Sequence, residues 1–264
     1  MKKNKLRELL DAGKPTLGIH MITTSPQVVE IIGYSGALDY IELVGEYASW
    51  GLTDLENFAR AVELFPHMSS MMKVDQEPRI FITTRSLGCG LQNILFTDVH
   101  SAAEVKECIR AVRPETPKDG GVHGCSMRRN VGYLLECGNE AWAQAQRDVV
   151  IAVMIEKAGA MEQLDEILSV KGVDMVQFGP CDLAISLDKT GQTGSLEMKK
   201  MHRDMIELAL KKGVAPRVEV DNFERAKPFI EMGVRHFCIG DDLGIVYQWC
   251  QQNGKGIREL LDSV

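Results

Sequence analysis

The chain has 264 residues, a length that one α/β barrel routinely uses as a single domain and that two smaller domains would also fill. Apolar residues make up 45% and charged residues 25%, which excludes a disordered, collagen-like or disulfide-stapled chain. With 30 Lys+Arg against 37 Asp+Glu the net charge is −7, so the chain has no electrostatic reason to seek nucleic acid or an anionic membrane, and small molecules are the expected partners.

In chain order, Gly13 sits where a helix C-cap is wanted, ahead of a first strand at 16–20 (TLGIH). Ser25-Pro26 offers an N-cap followed by Pro at the first helical position, and a second strand follows at 39–44. Thr53 to Glu56 fits a capping box before the third strand at 69–74. A fourth strand is expected at 92–96, and Ser101 to Glu104 then opens a helix with Val105, Cys108, Ile109 and Val112 at helical spacing. The stretch 97–148 is the longest break in the alternation. It holds that helix, a segment containing GGVHG and Arg128-Arg129, and a second helical pattern ending near Arg147. A long connection of this kind is where an active-site loop is expected, although GGVHG also reads as a ninth short strand. Strands at 149–155, 173–178, 214–218 and 235–239 complete the series, with Gly213 as another C-cap. Several strands are continuously apolar, as parallel strands covered on both faces are.

Eight strands alternating with helices, without a Pro/Gly/Ser-rich linker, predict an α/β chain forming one (β/α)8 TIM barrel over 1–264; a doubly wound open sheet is the alternative. No G-x-G-x-x-G or G-x-x-x-x-G-K-S/T sequence is present. The seven cysteines (Cys89, Cys108, Cys125, Cys137, Cys181, Cys238 and Cys250) are odd in number and scattered, and none forms C-x-x-C, so neither a disulfide framework nor a zinc ribbon is expected. The basic N-terminus lacks a signal-peptide apolar region, and no apolar run approaches the roughly 18 residues of a membrane span. The expectation is a reduced, cytoplasmic protein.

Barrel active sites gather at the C-terminal ends of the strands. There the fifth strand closes on Met154-Ile-Glu156 and the sixth on Gln177-Phe-Gly-Pro-Cys-Asp182. Two carboxylates converging across a barrel mouth suit a hard divalent ion completed by water and substrate oxygens. The competing reading makes Glu156 a solvated strand-end residue and Asp182 the N-cap of a short helix; spacing alone divides the two evenly.

These stretches resemble the HpcH/HpaI aldolase family, metal-dependent class II pyruvate aldolases of the phosphoenolpyruvate/pyruvate barrel superfamily. The likeness rests on Gly90-Leu-Gln-Asn-Ile-Leu-Phe, on Met154-Ile-Glu156, and above all on Leu164 to Asp174 running into Phe178-Gly-Pro-Cys-Asp182-Leu. It extends from about residue 5 to the C-terminal helix. The resemblance implies that Glu156 and Asp182 bind Mg²⁺, Mn²⁺ or Co²⁺. It also implies that the turn Gly179, Pro180, Cys181 and Asp182 holds the substrate carboxylate, through the N–H groups of the last two. The family's metal chelates a 2-oxo acid and stabilises the enolate formed as the C3–C4 bond breaks.

Four positions depart from the family pattern. Its D-x-E-H after strand two, which carries the proton-moving His and Asp, reads Val44-Gly-Glu46-Tyr47 here. Tyr47 cannot replace histidine near neutrality without a depressed pKa. The arginine closing strand three is Lys73, which keeps the charge but loses the planar fork. A glutamine becomes Met154, and a tryptophan on strand one becomes His20. His20 is the candidate to supply the missing base, against an ordinary strand-end histidine bonded to backbone. His123 and Arg128 are weaker candidates from the long segment, more simply read as a loop residue and part of a solvated basic pair. Glu46 is expected to remain near the mouth and orient water there. Gly240-Asp241-Asp242 reads as a cap for the last helix, with a site role for Asp242 as the lesser option.

The expected function is a lyase that makes or breaks a C–C bond of a 2-oxo acid, with an aldehyde as the second partner. Two alternatives stay open: another metal-enolate reaction, such as decarboxylation or acyl-thioester lysis, and a non-catalytic ligand-binding protein on an aldolase scaffold. Family membership implies a homo-oligomer (dimer, trimer or hexamer), often with the C-terminal helix exchanged between subunits. The apolar run from Leu243 to Leu261 fits such docking.

Overall fold

A computed structural model describes residues 2–264. Its eight parallel strands close into a barrel in sequence order: β1 Thr16–Met21, β2 Tyr40–Val44, β3 Ser69–Val74, β4 Asn93–Phe96, β5 Ile151–Ile155, β6 Met175–Phe178, β7 Ala215–Val220 and β8 His236–Asp241. The helices before β5 are α1 Lys5–Asp11, α2 Pro26–Tyr34, α3 Leu52–Val62, α4 Arg79–Cys89, α5 Ala102–Val112 and α6 Glu140–Arg147. After it come α7 Ala158–Glu162, α8 Leu164–Leu168, α9 Pro180–Ser186, α10 Leu196–Lys212, α11 Phe223–Glu231, α12 Asp242–Trp249 and α13 Lys255–Asp262. The barrel expected from the sequence is therefore the observed one, and the open sheet is not.

Side chains alternate across each strand, so the chain builds two cores. Outward residues such as Ile41, Leu43, Met72, Ile94, Val153 and Val176 pack under the helices. Inward residues Tyr40, Met71, Leu95, Ala152, Met154 and Met175 fill the barrel, and Leu6 of α1 plugs its N-terminal end. Asn4 ties this plug down by donating to the Asp148 carbonyl and the Asn93 side-chain oxygen. The mouth at the opposite end is left to polar residues.

Local signals held in part. Gly213 ends α10 at φ +75°, a left-handed cap that glycine adopts without Cβ strain. Ser101 caps α5 through the Glu104 N–H, but Glu104 returns its bond to the His100 N–H rather than to Ser101. The box expected at Thr53 starts two residues earlier, where Asp54 accepts from the N–H of the N-cap Gly51. GGVHG forms no ninth strand; His123 makes only an isolated bridge with Pro114.

The long segment does not lie over the mouth. A short turn joins β4 to α5, and residues 113–139 instead follow α5, on the side of the barrel where strands begin. Arg113 donates to the carbonyls of Gln146, Arg147 and Val149 there. The length of the segment pointed to an active-site loop, but its placement after a helix rather than after a strand puts it at the wrong end.

At the C-terminus, α12, a π-turn and α13 run on consecutively. No residue of α13 is buried, and Ile245, Val246, Trp249, Ile257, Leu260 and Leu261 are all exposed. Among the described residues, no helix is long and apolar enough to cross a membrane.

Candidate active site

Strand ends β1 to β3 and β5 to β8 and the turns after them enclose a cavity of about 240 Å³ at the barrel mouth. Its walls include His20, Lys73, Glu156, Gly179, Pro180, Cys181, Asp182, Glu219 and Asp241. Seven of the eight residues singled out from the sequence thus share one space. The eighth, Glu46, stands behind it, with Oε2 2.6 Å from Lys73 Nζ.

Glu156 is buried at the end of β5, where its Oε1 accepts the Asp98 N–H at 2.8 Å. Asp98 aims that N–H by adopting φ +54°, a left-handed conformation that Asp tolerates better than most residues. Burial, only partly offset by this bond and by Lys73, pushes the Glu156 carboxyl up to about 7. Gly179 is required beside it: a Cβ there would lie 2.7 Å from Glu156 Oε2 and 2.6 Å from its Cβ. Asp182 occupies the third position of α9, whose N-cap is Gly179, so the reading of Asp182 as an N-cap fails. The first-turn N–H groups of Cys181 and Asp182 have no acceptor within the helix and border the cavity.

The residues fit a hard divalent cation. Four carboxylates, Glu156, Asp182, Glu219 and Asp241, border the same small space, and Glu156 is buried with too little compensating positive charge. Among the described residues no three His, Cys, Asp or Glu side chains group together to hold a metal unaided. An ion bound here would therefore draw its other ligands from water and substrate, as Mg²⁺ commonly does.

Lys73 closes β3 and is 6% exposed. Burial disfavours its charge, but Glu46 overcomes this and the net effect raises its pKa. Its Nζ lies 4.9 Å from the centre of the Tyr47 ring. Tyr47 itself is raised by burial, the opposite of what a replacement base needs.

His20 is far from an ordinary strand-end histidine. Its Nε2 is 3.2 Å from Glu219 Oε1, 3.3 Å from Glu42 Oε1 and 3.3 Å from Arg217 Nη2. Burial opposes protonation, yet Cys238, Glu42 and Glu219 outweigh it and raise His20 to about 9. Its surroundings thus bias the imidazole expected as a base toward its charged form.

Beneath His20 lies a polar layer that sequence reasoning missed. Arg217 and Glu42 are fully buried and pair at 2.6 Å, as a charge contact rather than an aligned hydrogen bond. Arg217 also donates to Tyr40 Oη at 2.7 Å and to Gln177, which in turn donates to Glu219. A strand reading that stopped at 218 left Glu219 in a turn; β7 continues to Val220 and carries it to the mouth.

The weaker candidates lie elsewhere. His123 is buried under the segment after α5, bonded to the Ala111 carbonyl and tilted against Trp142. Burial lowers it to about 4. Arg128 donates to the Thr84 carbonyl, and Arg129 forms a forked pair with Glu63. At β8, Asp241 caps α12 through the Gly244 N–H, while Asp242 accepts from the Ile22 and Thr23 N–H groups and so holds the β1–α2 turn.

Fold and site together define a (β/α)8 barrel enzyme with an acidic, lysine- and histidine-edged mouth. Residues 17–247 match the HpcH/HpaI aldolase/citrate lyase family, and the chain belongs to it. A 4-hydroxy-2-oxo-heptane-1,7-dioate aldolase of Shigella boydii is 25% identical over 240 residues, covering 91% of this chain and 89% of that one. A 5-keto-4-deoxy-D-glucarate aldolase of Klebsiella pneumoniae is 26% identical over 248 residues, 92% of each. The structure of an HpcH/HpaI aldolase from Desulfitobacterium hafniense superposes with a TM-score of 0.85 at 25% identity, over 96% of both chains.

Proposed function

We propose that this chain is a lyase that cleaves or forms the C3–C4 bond of a 2-oxo acid at the barrel mouth, with an aldehyde as the other product or substrate. The supporting observation is that Glu156, Asp182, Lys73 and His20 line one 240 Å³ cavity at the strand ends. Glu156 and Asp182 would hold a divalent ion of the Mg²⁺, Mn²⁺ or Co²⁺ kind. When bound, such an ion supplies Lewis-acid stabilisation of negative charge on the substrate oxygens.

The remaining work falls to the chain's own groups. The N–H pair of Cys181 and Asp182 receives the substrate carboxylate. Lys73, held in the ammonium form by Glu46, attracts the oxygen of the 2-oxo group. Glu46 keeps that ammonium in place and orients water beside it. The water that Glu46 orients takes the proton of the C4 hydroxyl as the C3–C4 bond breaks to give the aldehyde, and His20, charged through its neighbours, gives a proton to C3. Both small-molecule partners are carbonyl compounds, and neither role requires nucleic acid or a membrane. Cytoplasmic placement agrees with this reading.

Replacing Glu156 or Asp182 with Ala is expected to abolish metal-stimulated turnover of a 2-oxo-acid aldol and to remove metal binding measured by calorimetry. Unchanged turnover and binding in both variants would refute the assignment. The uncovered apolar face of α12 and α13 supports a homo-oligomer in which these helices dock on a neighbouring subunit. Trp249→Glu should lower the mass measured by analytical ultracentrifugation, and an unaltered assembly in this variant and in Leu260→Glu would sink that reading.

A further inference from the structure

The segment between α5 and α6 brings together two cysteines that the sequence separates by twelve positions. Cys125 and Cys137 lie with their Sγ atoms 2.6 Å apart, closer than two unbonded thiols settle. The Gly138 N–H donates to Cys125 Sγ at 2.8 Å, but burial and the neighbouring Cys137 outweigh this bond and hold the Cys125 thiol above its ordinary range. Gly138 itself takes φ +74°, which turns the chain back so that its N–H faces Cys125. Both sulfurs pack against a small core of Val131, Trp142 and Ala143, and both residues are half-buried. Of the other cysteines, Cys89, Cys108 and Cys238 are buried, whereas Cys181 and Cys250 are exposed and none of the five has a sulfur partner among the described residues.

We propose that Cys125 and Cys137 are a reversible dithiol–disulfide pair, a covalent modification site that takes a low-molecular-weight disulfide such as oxidised glutathione as its oxidant. One thiolate attacks a sulfur of that disulfide, forming a mixed disulfide and releasing one glutathione thiolate. The second cysteine thiolate then attacks the mixed disulfide at the protein sulfur and expels the second glutathione. The protein loses two protons and two electrons; the oxidant gains both and leaves as two thiols. The ring so closed contains Arg128 and Arg129, which reach the Thr84 and Cys89 carbonyls of α4 and Glu63 at the end of α3. The crosslink therefore clamps a stretch that fastens this segment to α3 and α4. It needs no large movement, because the sulfurs are already about 0.5 Å from bonding distance.

The test uses the full chain, prepared with reductant and then incubated with oxidised glutathione. Free thiols are alkylated, the protein is digested without reduction, and the peptides are identified by mass. A peptide pair joined through Cys125 and Cys137, lighter than its dithiol form by two hydrogens, is expected to form first and to vanish with dithiothreitol. Cys181 and Cys250 should be alkylated or carry glutathione, and glutathione on either certifies that the oxidant acted. Limited proteolysis within 126–136 should slow on oxidation in the wild type and not in Cys125→Ser or Cys137→Ser. Recovery of Cys125 and Cys137 alkylated, beside glutathione on Cys181 or Cys250, would overturn the proposal. So would oxidant-dependent protection that persists in both serine variants.

Discussion

The barrel mouth and the segment 113–139 hold the same kinds of residue to opposite effect. Each has a partly or fully buried histidine and an arginine paired with glutamate. At the mouth His20 meets Cys238 and two carboxylates and is raised to about 9; in the segment His123 meets a carbonyl and an indole and is lowered to about 4. Desolvation acts downward on both, so the sign is set by the charged neighbours alone. Polar residues become chemistry where strand ends converge on a cavity, and stay structural where a loop covers the outside of helices.

The comparison breaks most decisively on activity. His20→Asn should lower kcat/KM for a 2-oxo-acid aldol by about 10²–10⁴-fold, the usual worth of a positioned acid or base. His123→Asn should leave kcat/KM per folded molecule unchanged while lowering Tm, because it disturbs only the contacts with Ala111 and Trp142. Equal kinetic losses in the two variants would erase the distinction between mouth and segment.

The arginines separate next, on stability. Arg217→Met takes the 2.6 Å guanidinium partner from fully buried Glu42 and leaves it only His20, and should cost about 3–5 kcal/mol by denaturant unfolding. Arg129→Met removes a pair with Glu63 whose side chains keep 13% and 23% of their surface in solvent, and should cost less, about 1 kcal/mol. A cost for Arg217 no greater than that for Arg129 would mean that the inner layer is not the charged keystone described above.

Much of this was legible in the residues. All eight strands were placed within two residues at each end, because parallel strands covered on both faces write themselves as short apolar runs between capped helices. The two carboxylates were legible for the same reason: Glu156 directly follows β5, and Asp182 lies in the first turn of the helix that β6 leads into. Arg217, Glu42 and Gln177 were not, since a polar residue inside a strand pattern looks like a solvent-facing one unless the barrel has been closed around it. Glu219 was lost to a strand read two residues short. The long segment misled because its length signals function only on the side of the barrel where strands end. The Cys125–Cys137 contact depends on a folded loop, which spacing does not encode.

The finest distinction is the pH dependence of stability, where the two histidines must slope in opposite directions. His20 is raised from 6.5 to about 9, so its contribution is complete below pH 6.5 and is lost as the pH rises through about 9. The groups facing it are Glu42 of β2, Arg217 and Glu219 of β7, and Cys238 of β8, with Asp241 opposite it in register. His123 is lowered from 6.5 to about 4, so the fold resists its protonation, and its contribution is complete above pH 6.5 and is lost as the pH falls through about 4. Urea unfolding of wild type, His20→Asn and His123→Asn across this range isolates each slope as a difference between curves. The gap between wild type and His20→Asn should close on the alkaline side, and the gap for His123→Asn on the acid side. If both gaps closed on the same side, the carboxylates around His20 would not govern its charge, and the proton it is proposed to deliver would have to come from another group.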